Sequence, residues 1–208
     1  MKGLFITFEG VEGCGKSTQV ERQRARLESL GHTVMATREP GGTPIAEAIR
    51  RILLDPANEA MSATTELLLY EAARAQHVDE KIKPALSADH IVLCDRFMDS
   101  TTAYQVAGRG LERQAVELLH AIATSGLKPD LTIVVDVPAE VGLERVAQTK
   151  KHDRIELESI EFHARVRDAF LKIARIDSKR VHVVDGTQPI DRVTQDINGL
   201  IDAIVGAK

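Results

Sequence analysis

The chain has 208 residues, 43% hydrophobic and 28% charged, which suits one compact globular domain and excludes a disordered segment. A formal charge of −4 argues against a general partner for nucleic-acid polymers or membrane surfaces, since both are polyanionic. The N-terminal apolar run is too short for a signal peptide, no segment approaches a membrane span, and Cys14 and Cys94 show neither metal-ligand nor disulfide spacing, so the expected setting is the reducing cytoplasm.

Aromatic residues are 3% of the chain and Trp is absent, so a core built mainly from Leu, Ile, Val and Ala is expected. The first apolar run, 4–8, reads as a buried strand. It leads into Gly10-Val11-Glu12-Gly13-Cys14-Gly15-Lys16-Ser17, a full G-x-x-x-x-G-K-[ST] pattern followed by Thr18, and then into an amphipathic helix over 16–30. Glycines there let the backbone aim N–H groups at phosphate oxygens, and the helix N-terminus adds a favourable dipole. Lys16 suits the β- and γ-phosphates of ATP, and Ser17 suits Mg²⁺. With strand, loop and helix all in register, a chance glycine-rich turn is a poor explanation.

A second strand is expected over 33–37, after Gly31 as a natural C-cap, and it ends in Arg38-Glu39-Pro40-Gly41-Gly42. That turn presents Arg38 to the ligand edge of the sheet. Helices are expected over 44–54, with Pro44 in the first turn, and over 64–86. The strand 91–95 ends in Asp95, a residue placed to organise Mg²⁺ directly or through water, and Arg96 follows it. Arg96 suits bidentate clamping of a phosphate, although a plain structural ion pair with Asp95 is the alternative. Beyond it come a helix over 111–124, a strand over 131–136 and a helix over 139–149. The basic stretch Lys150-Lys151-His152-Asp153-Arg154 comes next. Glu12 puts negative charge inside the phosphate loop, so compensating cations must come from elsewhere. A basic lid over about 148–156 is the candidate, with an ordinary solvated loop as the alternative. A helix over 159–175, a strand over 181–184 and a helix over 190–205 complete the pattern.

This alternation predicts an α/β P-loop NTPase sandwich in three layers. It has a five-stranded parallel sheet covered by helices on both faces, in a single domain over 1–208. In such sheets ligands sit beyond the carboxyl ends of the strands. Glu9 and Gly10, Arg38 and Glu39, and Asp95 and Arg96 all fall there.

Several segments, in order, resemble the thymidylate kinase family. They are Phe8-Glu9-Gly10 with Lys16-Ser17-Thr18, Arg38 to Thr43, Asp95-Arg96-Phe97, Ser100-Thr101-Thr102-Ala103-Tyr104-Gln105, Gly108-Arg109-Gly110 and Pro129-Asp130-Leu131. The resemblance implies transfer of the ATP γ-phosphoryl group to dTMP in dTTP synthesis, Mg²⁺ as cofactor, and a homodimer. It implies that Tyr70 stacks on thymine and that Arg74, four residues on along the same helix face, donates to O4. Thr101 would face the base edge, with Gln105 in the same pocket, and Tyr104 would crowd the sugar. Glu9 would approach the acceptor sugar or the metal, and Arg38 and Arg96 would hold the acceptor phosphate. Gly10, Val11, Glu12, Gly13, Cys14, Gly15, Lys16, Ser17 and Thr18 would bind ATP together with Lys150 and Lys151. A P-loop with Glu12 and no arginine resembles the bacterial branch, in which the lid supplies the catalytic cation, here assigned to Arg154. Val106-Ala107-Gly108 departs from the glycine run usual before Arg109, which suggests a less free loop. Read without the resemblance, Tyr70 would be core and Arg74 surface. A P-loop kinase of another substrate and a nucleotide-dependent regulatory ATPase are the alternatives. The absence of an N-K-x-D guanine motif weighs against the second. Cys14 and Cys94 stand near the phosphate segments, which raises oxidative sensitivity as a possibility, with an inert core thiol the expected state of Cys94.

Overall fold

The computed structural model describes residues 3–147 and 153–206, so the expected lid cations Lys150 and Lys151 lie outside the described residues. Five strands form one sheet in the order β2-β3-β1-β4-β5. The strands are β1 (Leu4–Glu9), β2 (Val34–Arg38), β3 (Ile91–Asp95), β4 (Leu131–Asp136) and β5 (Val181–Asp185). Each pairing is parallel, so each return is a crossover through helices. The helix α1 (Lys16–Ser29) links β1 to β2. The segment from β2 to β3 carries α2 (Pro44–Leu54), α3 (Ala63–His77) and α4 (Lys83–Ser87). Between β3 and β4 lie α5 (Met98–Thr101) and α6 (Arg113–Thr124), and between β4 and β5 lie α7 (Ala139–Ala147) and α8 (Ile160–Ile176). The last helix is α9 (Ile190–Val205). This is the P-loop NTPase architecture expected from the alternation.

The central strand β1 is buried throughout, and its period of two sorts its side chains. Leu4, Ile6 and Phe8 enter a large apolar cluster with Val20 and Leu27 of α1 and Val193 and Ile197 of α9. Phe5 points the other way, into a cluster with Val78, Ile82, Val92 and Phe97, where it meets the Phe97 ring edge-on at 4.9 Å. Thr7 and Glu9 follow Phe5 by alternation. Thr7 hydrogen-bonds Thr132 at 2.8 Å, and Glu9 is fully buried. Aromatics are scarce, yet all five phenylalanines are buried, so the core is less purely aliphatic than composition suggests.

Helix ends follow local chemistry. Gly31 adopts φ 90° beyond α1, with Gly31 N–H donating to Glu28 O and His32 N–H to Leu27 O, the paired bonds of a Schellman stop. Thr43 caps α2 by accepting from Ala46 N–H, with Pro44 in the first turn. The single helix expected over 64–86 is interrupted by a π-helical stretch, Val78–Ile82, before α4. Pro84 cannot donate to the carbonyl four residues back, and widening the preceding turn accommodates its ring. A second π-helical stretch, Thr102–Gly108, extends α5, where the sequence reading had anticipated no helix.

The phosphate loop is closed from outside. A Cβ on Gly10 would come 2.5 Å from the Val135 carbonyl oxygen, and one on Gly13 would overlap the carbonyl of Gly142 in α7. The reverse holds too, since a Cβ on Gly142 would overlap the Glu12 carbonyl. Gly199 in α9, by contrast, has open space around it. Gly142→Ala is therefore expected to cost about 1–3 kcal/mol by overpacking and to weaken ATP binding. Gly199→Ala is expected to add roughly 0.5–1 kcal/mol through helix propensity. Thermal melts of both variants check this contrast, and a melt of Gly142→Ala at or above the parent would refute it.

Candidate active site

At the carboxyl ends of β1 and β3 the chain turns sharply. Gly10, Gly13 and Gly15 take φ values of 135°, 67° and 97°, which lets the loop run beneath the N-terminus of α1. Gly15 is the N-cap of α1 and no side chain caps that end, so its first N–H groups face the loop. Lys16 Nζ is buried and donates to Gly10 O at 3.1 Å and Val11 O at 2.8 Å, with Cys14 Sγ at 3.4 Å. Ser17 Oγ donates to Asp95 Oδ2 at 2.5 Å. These are hard oxygen donors of the kind Mg²⁺ accepts, and Mg²⁺ commonly takes one or two protein oxygens and completes its shell with substrate phosphate and water. Residues present and ion therefore fit.

One cleft is lined by Glu12, Gly13, Lys16 and Ser17 on the donor side, and by Arg38, Tyr70, Arg74, Asp95, Arg96, Thr101, Tyr104 and Gln105 on the other. Tyr70 and Arg74 reach it together from α3, one helical turn apart. Thr101, Tyr104 and Gln105 are buried in its wall, presented by α5 and the π-helical stretch. Gln105 Nε2 donates to Glu66 at 2.8 Å. Arg38 pairs with Glu47, which also accepts from Gly42 N–H and so ties the arginine to its own turn. Arg50 of α2 also lines the cleft, and the sequence reading missed it. Burial and the neighbouring Arg38 disfavour its charge, against Glu47 and Asp153. Two cations held side by side make an anion there favourable.

Arg96 has a φ of 71°, a left-handed conformation unusual for a side chain of this size and of the kind found at functional sites. It donates from Nη1 to Gly10 O at 2.8 Å and from Nη2 to Glu12 Oε1 at 2.9 Å, with its guanidinium over the Tyr104 ring at 5.1 Å. Tyr104 Oη donates to both Glu12 oxygens, at 2.6 and 2.7 Å, and His163 Nδ1 lies 3.2 Å from Glu12. Burial acts to raise the Glu12 carboxyl, but Arg96, His163, Lys16 and Tyr104 outweigh it and hold the value at about 2. Glu12 is thus paired from the β3 edge by Arg96.

Arg154 and Glu9 stand outside this lining, as do Gly10, Val11, Cys14, Gly15 and Thr18 of the phosphate loop. Arg154 does not line the cleft. It is buried, with Nε donating to Leu53 O at 3.0 Å and Nη2 2.5 Å from Glu66, a fully buried carboxylate that also takes both Arg109 and Gln105. Glu66 is attractive enough to draw the arginine inward, and nothing in the sequence sets it apart from a solvated helix residue. Glu9 is also absent from the lining. Strand alternation turns it under α5, where it accepts from Phe97 N–H at 2.8 Å and Ser100 Oγ at 2.5 Å. Of the two thiols, both free and buried, Cys94 is pushed well above its ordinary value by burial, with Glu39 adding to the effect, as an inert core thiol requires.

Burial, reinforced by Asp99, raises the Glu9 carboxyl from 4.5 to about 8, against the Ser100 hydrogen bond and the Arg96 charge. A folded value above the unfolded one gives stability that is fully present below about 4.5 and lost as pH rises through about 8. Glu9→Gln should therefore flatten the decline in melting temperature between those limits. Parallel pH curves for parent and variant would exclude this role.

A family model described as Thymidylate kinase matches residues 8–197. A thymidylate kinase of Geotalea uraniireducens is 52% identical over 205 residues, 96% of this chain and 96% of that one. One of Latilactobacillus sakei is 50% identical over 196 residues, covering 93% and 92%. The crystal structure of thymidylate kinase from Ehrlichia chaffeensis matches with a TM-score of 0.80 at 33% identity, over 97% of this chain and 99% of that one. A phosphate loop facing a pocket with Tyr70 and Arg74, in a chain matched at this level almost end to end, belongs to the thymidylate kinase family.

Proposed function

We infer that the chain transfers the γ-phosphoryl group of ATP to dTMP, giving dTDP and ADP, in the cleft between the phosphate loop and α3. The observation that carries the site reading is convergence. The loop residues Lys16 and Ser17 share one cleft with Arg38, Arg50, Arg74 and Arg96, which suits two anionic ligands meeting end to end. The acceptor phosphate is ionised at neutral pH, so the reaction needs no strong general base. Catalysis rests on alignment and on charge stabilisation.

The loop amides and the α1 N-terminus bind the donor phosphates, with Lys16 at the β- and γ-phosphates. Ser17 and Asp95 would hold Mg²⁺, which would supply positive charge to neutralise the donor phosphates. Arg96 holds the acceptor phosphate toward the donor, and Arg38 and Arg50, which line the same cleft, support it. Tyr70 stacks on the base, Arg74 donates to its O4, and Thr101 and Gln105 line its edge. Tyr104, fixed by its bonds to Glu12, crowds the sugar. Glu9 acts from beneath by holding Phe97 and Ser100 in place. Two free thiols and the absence, among the described residues, of a helix able to cross a membrane support the cytoplasm as its setting.

Coupled ADP-release assays with dTMP, dUMP, dCMP, dGMP and thymidine test the reading. Preference for dTMP is expected, and Arg96→Ala should lower kcat by roughly 10²–10³-fold, as for loss of a charge-stabilising donor, with folding intact. Turnover on another monophosphate would discard the base pocket, and wild-type-like rates in the variant would remove Arg96 from the mechanism.

The active form is proposed to be a homodimer built on the outer face of α3 and α6. Leu68 of α3 and Leu118 and Ile122 of α6 are large apolar side chains left exposed on neighbouring helices, at 50%, 63% and 67%. Leu118→Glu should shift the mass seen by light scattering from two chains to one. A parent already monomeric at assay concentration would overturn the assignment.

A further inference from the structure

Arg74 sits between two acid–imidazole pairs. Its Nε donates to Glu39 Oε2 at 2.8 Å and its Nη1 to Glu71 Oε1 at 2.5 Å. Each carboxylate is met by a histidine, His77 Nδ1 at 3.0 Å from Glu39 Oε1 and His120 Nδ1 at 2.9 Å from Glu71 Oε1. Each imidazole ends on a threonine, with His77 Nε2 at 2.7 Å from Thr37 Oγ1 and His120 Nε2 at 3.3 Å from Thr102 Oγ1. An ionised carboxylate only accepts, so each Nδ1 carries the proton and donates.

The two halves differ in one respect. Glu39 uses both oxygens, one for Arg74 and one for His77. Glu71 uses one, since its buried Oε2 has no hydrogen-bond partner among the described residues. Its orientation is therefore set through Oε1 by Arg74 and His120 together. Remove His120, and the arginine is left to orient the carboxylate that should orient it. His120 belongs to α6, whereas Glu71 and Arg74 belong to α3, so the contact fixes the guanidinium against a second helix. A long cationic side chain loses rotamer freedom when it engages a ligand, and pre-alignment removes that loss from the binding step.

We propose that His120 is a positioning residue for base recognition, holding Glu71 so that Arg74 meets the pyrimidine edge in one fixed direction. This rests on the reading of Arg74 as the donor to O4. A cytosine presents an amino group where thymine presents that oxygen, so a misaligned Arg74 loses the distinction between them.

The test measures kcat and KM for dTMP and dCMP, and KM for ATP, in the parent, His120→Leu, His120→Asn, His120→Gln and Arg74→Ala. His120→Leu should raise the KM for dTMP about tenfold and lower the dTMP-over-dCMP preference by a similar factor. Its kcat and its KM for ATP should stay within about twofold. An Asn amide lies near the place of Nδ1 and a Gln amide near that of Nε2, so His120→Asn should keep the preference and His120→Gln should lose it. A uniform fall in kcat for both nucleotides, or an unchanged preference in His120→Leu, overturns the proposal. If His120→Leu does not fold, the Asn and Gln variants decide, and equal behaviour of the two overturns it. An Arg74→Ala enzyme that keeps its preference for dTMP would mean that the base-reading role of Arg74 fails first. A preference lost in Arg74→Ala but kept in His120→Leu would fault the positioning role alone.

Discussion

Cations gathered to meet anionic ligands cannot be buried unpaired, and this constraint organises the molecule. Removing an ion from water costs several kcal/mol unless a counter-charge and hydrogen bonds accompany it. The chain meets that cost with carboxylates drawn from separate elements. Glu12 of the phosphate loop neutralises Arg96, Glu39 and Glu71 enclose Arg74, and Glu66 collects Arg109 and Arg154. These pairs link the sheet edge, α3, the turn after the π-helical stretch Thr102–Gly108 and the segment after α7 into one framework, so the positions of the site's arginines are consequences of buried acids.

Glu12 shows why the pairing matters for chemistry. A carboxylate beside transferring phosphates is unfavourable while its charge stands alone. Here Arg96, Tyr104 and His163 surround it, so it serves as an anchor that orients an arginine and a tyrosine toward the cleft. The strained backbone at Arg96 fits the same picture, because its conformation sends the side chain back over the loop, where it reaches Gly10 and Glu12 at once.

What the sequence disclosed follows from locality. Strand and helix periods, the P-loop and the residues just beyond each strand depend on neighbours in the chain, and these were legible. β3, β4, α2 and α9 fall on the expected bounds. Tyr70 and Arg74 were placed by spacing and resemblance, and the cleft brings them together. Glu66, Glu71, His77, His120 and His163 were not legible, since an acid or a histidine on a helix looks the same whether solvated or buried against a distant partner. Arg154 stands outside the cleft lining because of one such buried acid. A basic residue after a helix looks like a lid cation until Glu66, far upstream, is known to lie beneath it. Glu9, the last residue of β1, is turned by strand alternation beneath Phe97 and Ser100, outside the cleft lining.

The backbone contacts of Gly10 with β4 and of Gly13 with α7 bear on how the protein is made. The residues that define the phosphate loop leave the ribosome well before the surfaces of β4 and α7 that shape the loop. A chain that has emerged only as far as β3 carries the full motif with nothing to press it into a cradle. Contacts this distant in sequence form late and slowly. The cradle that binds nucleotide is thus complete only after the sheet has gained β4 and α7 has docked.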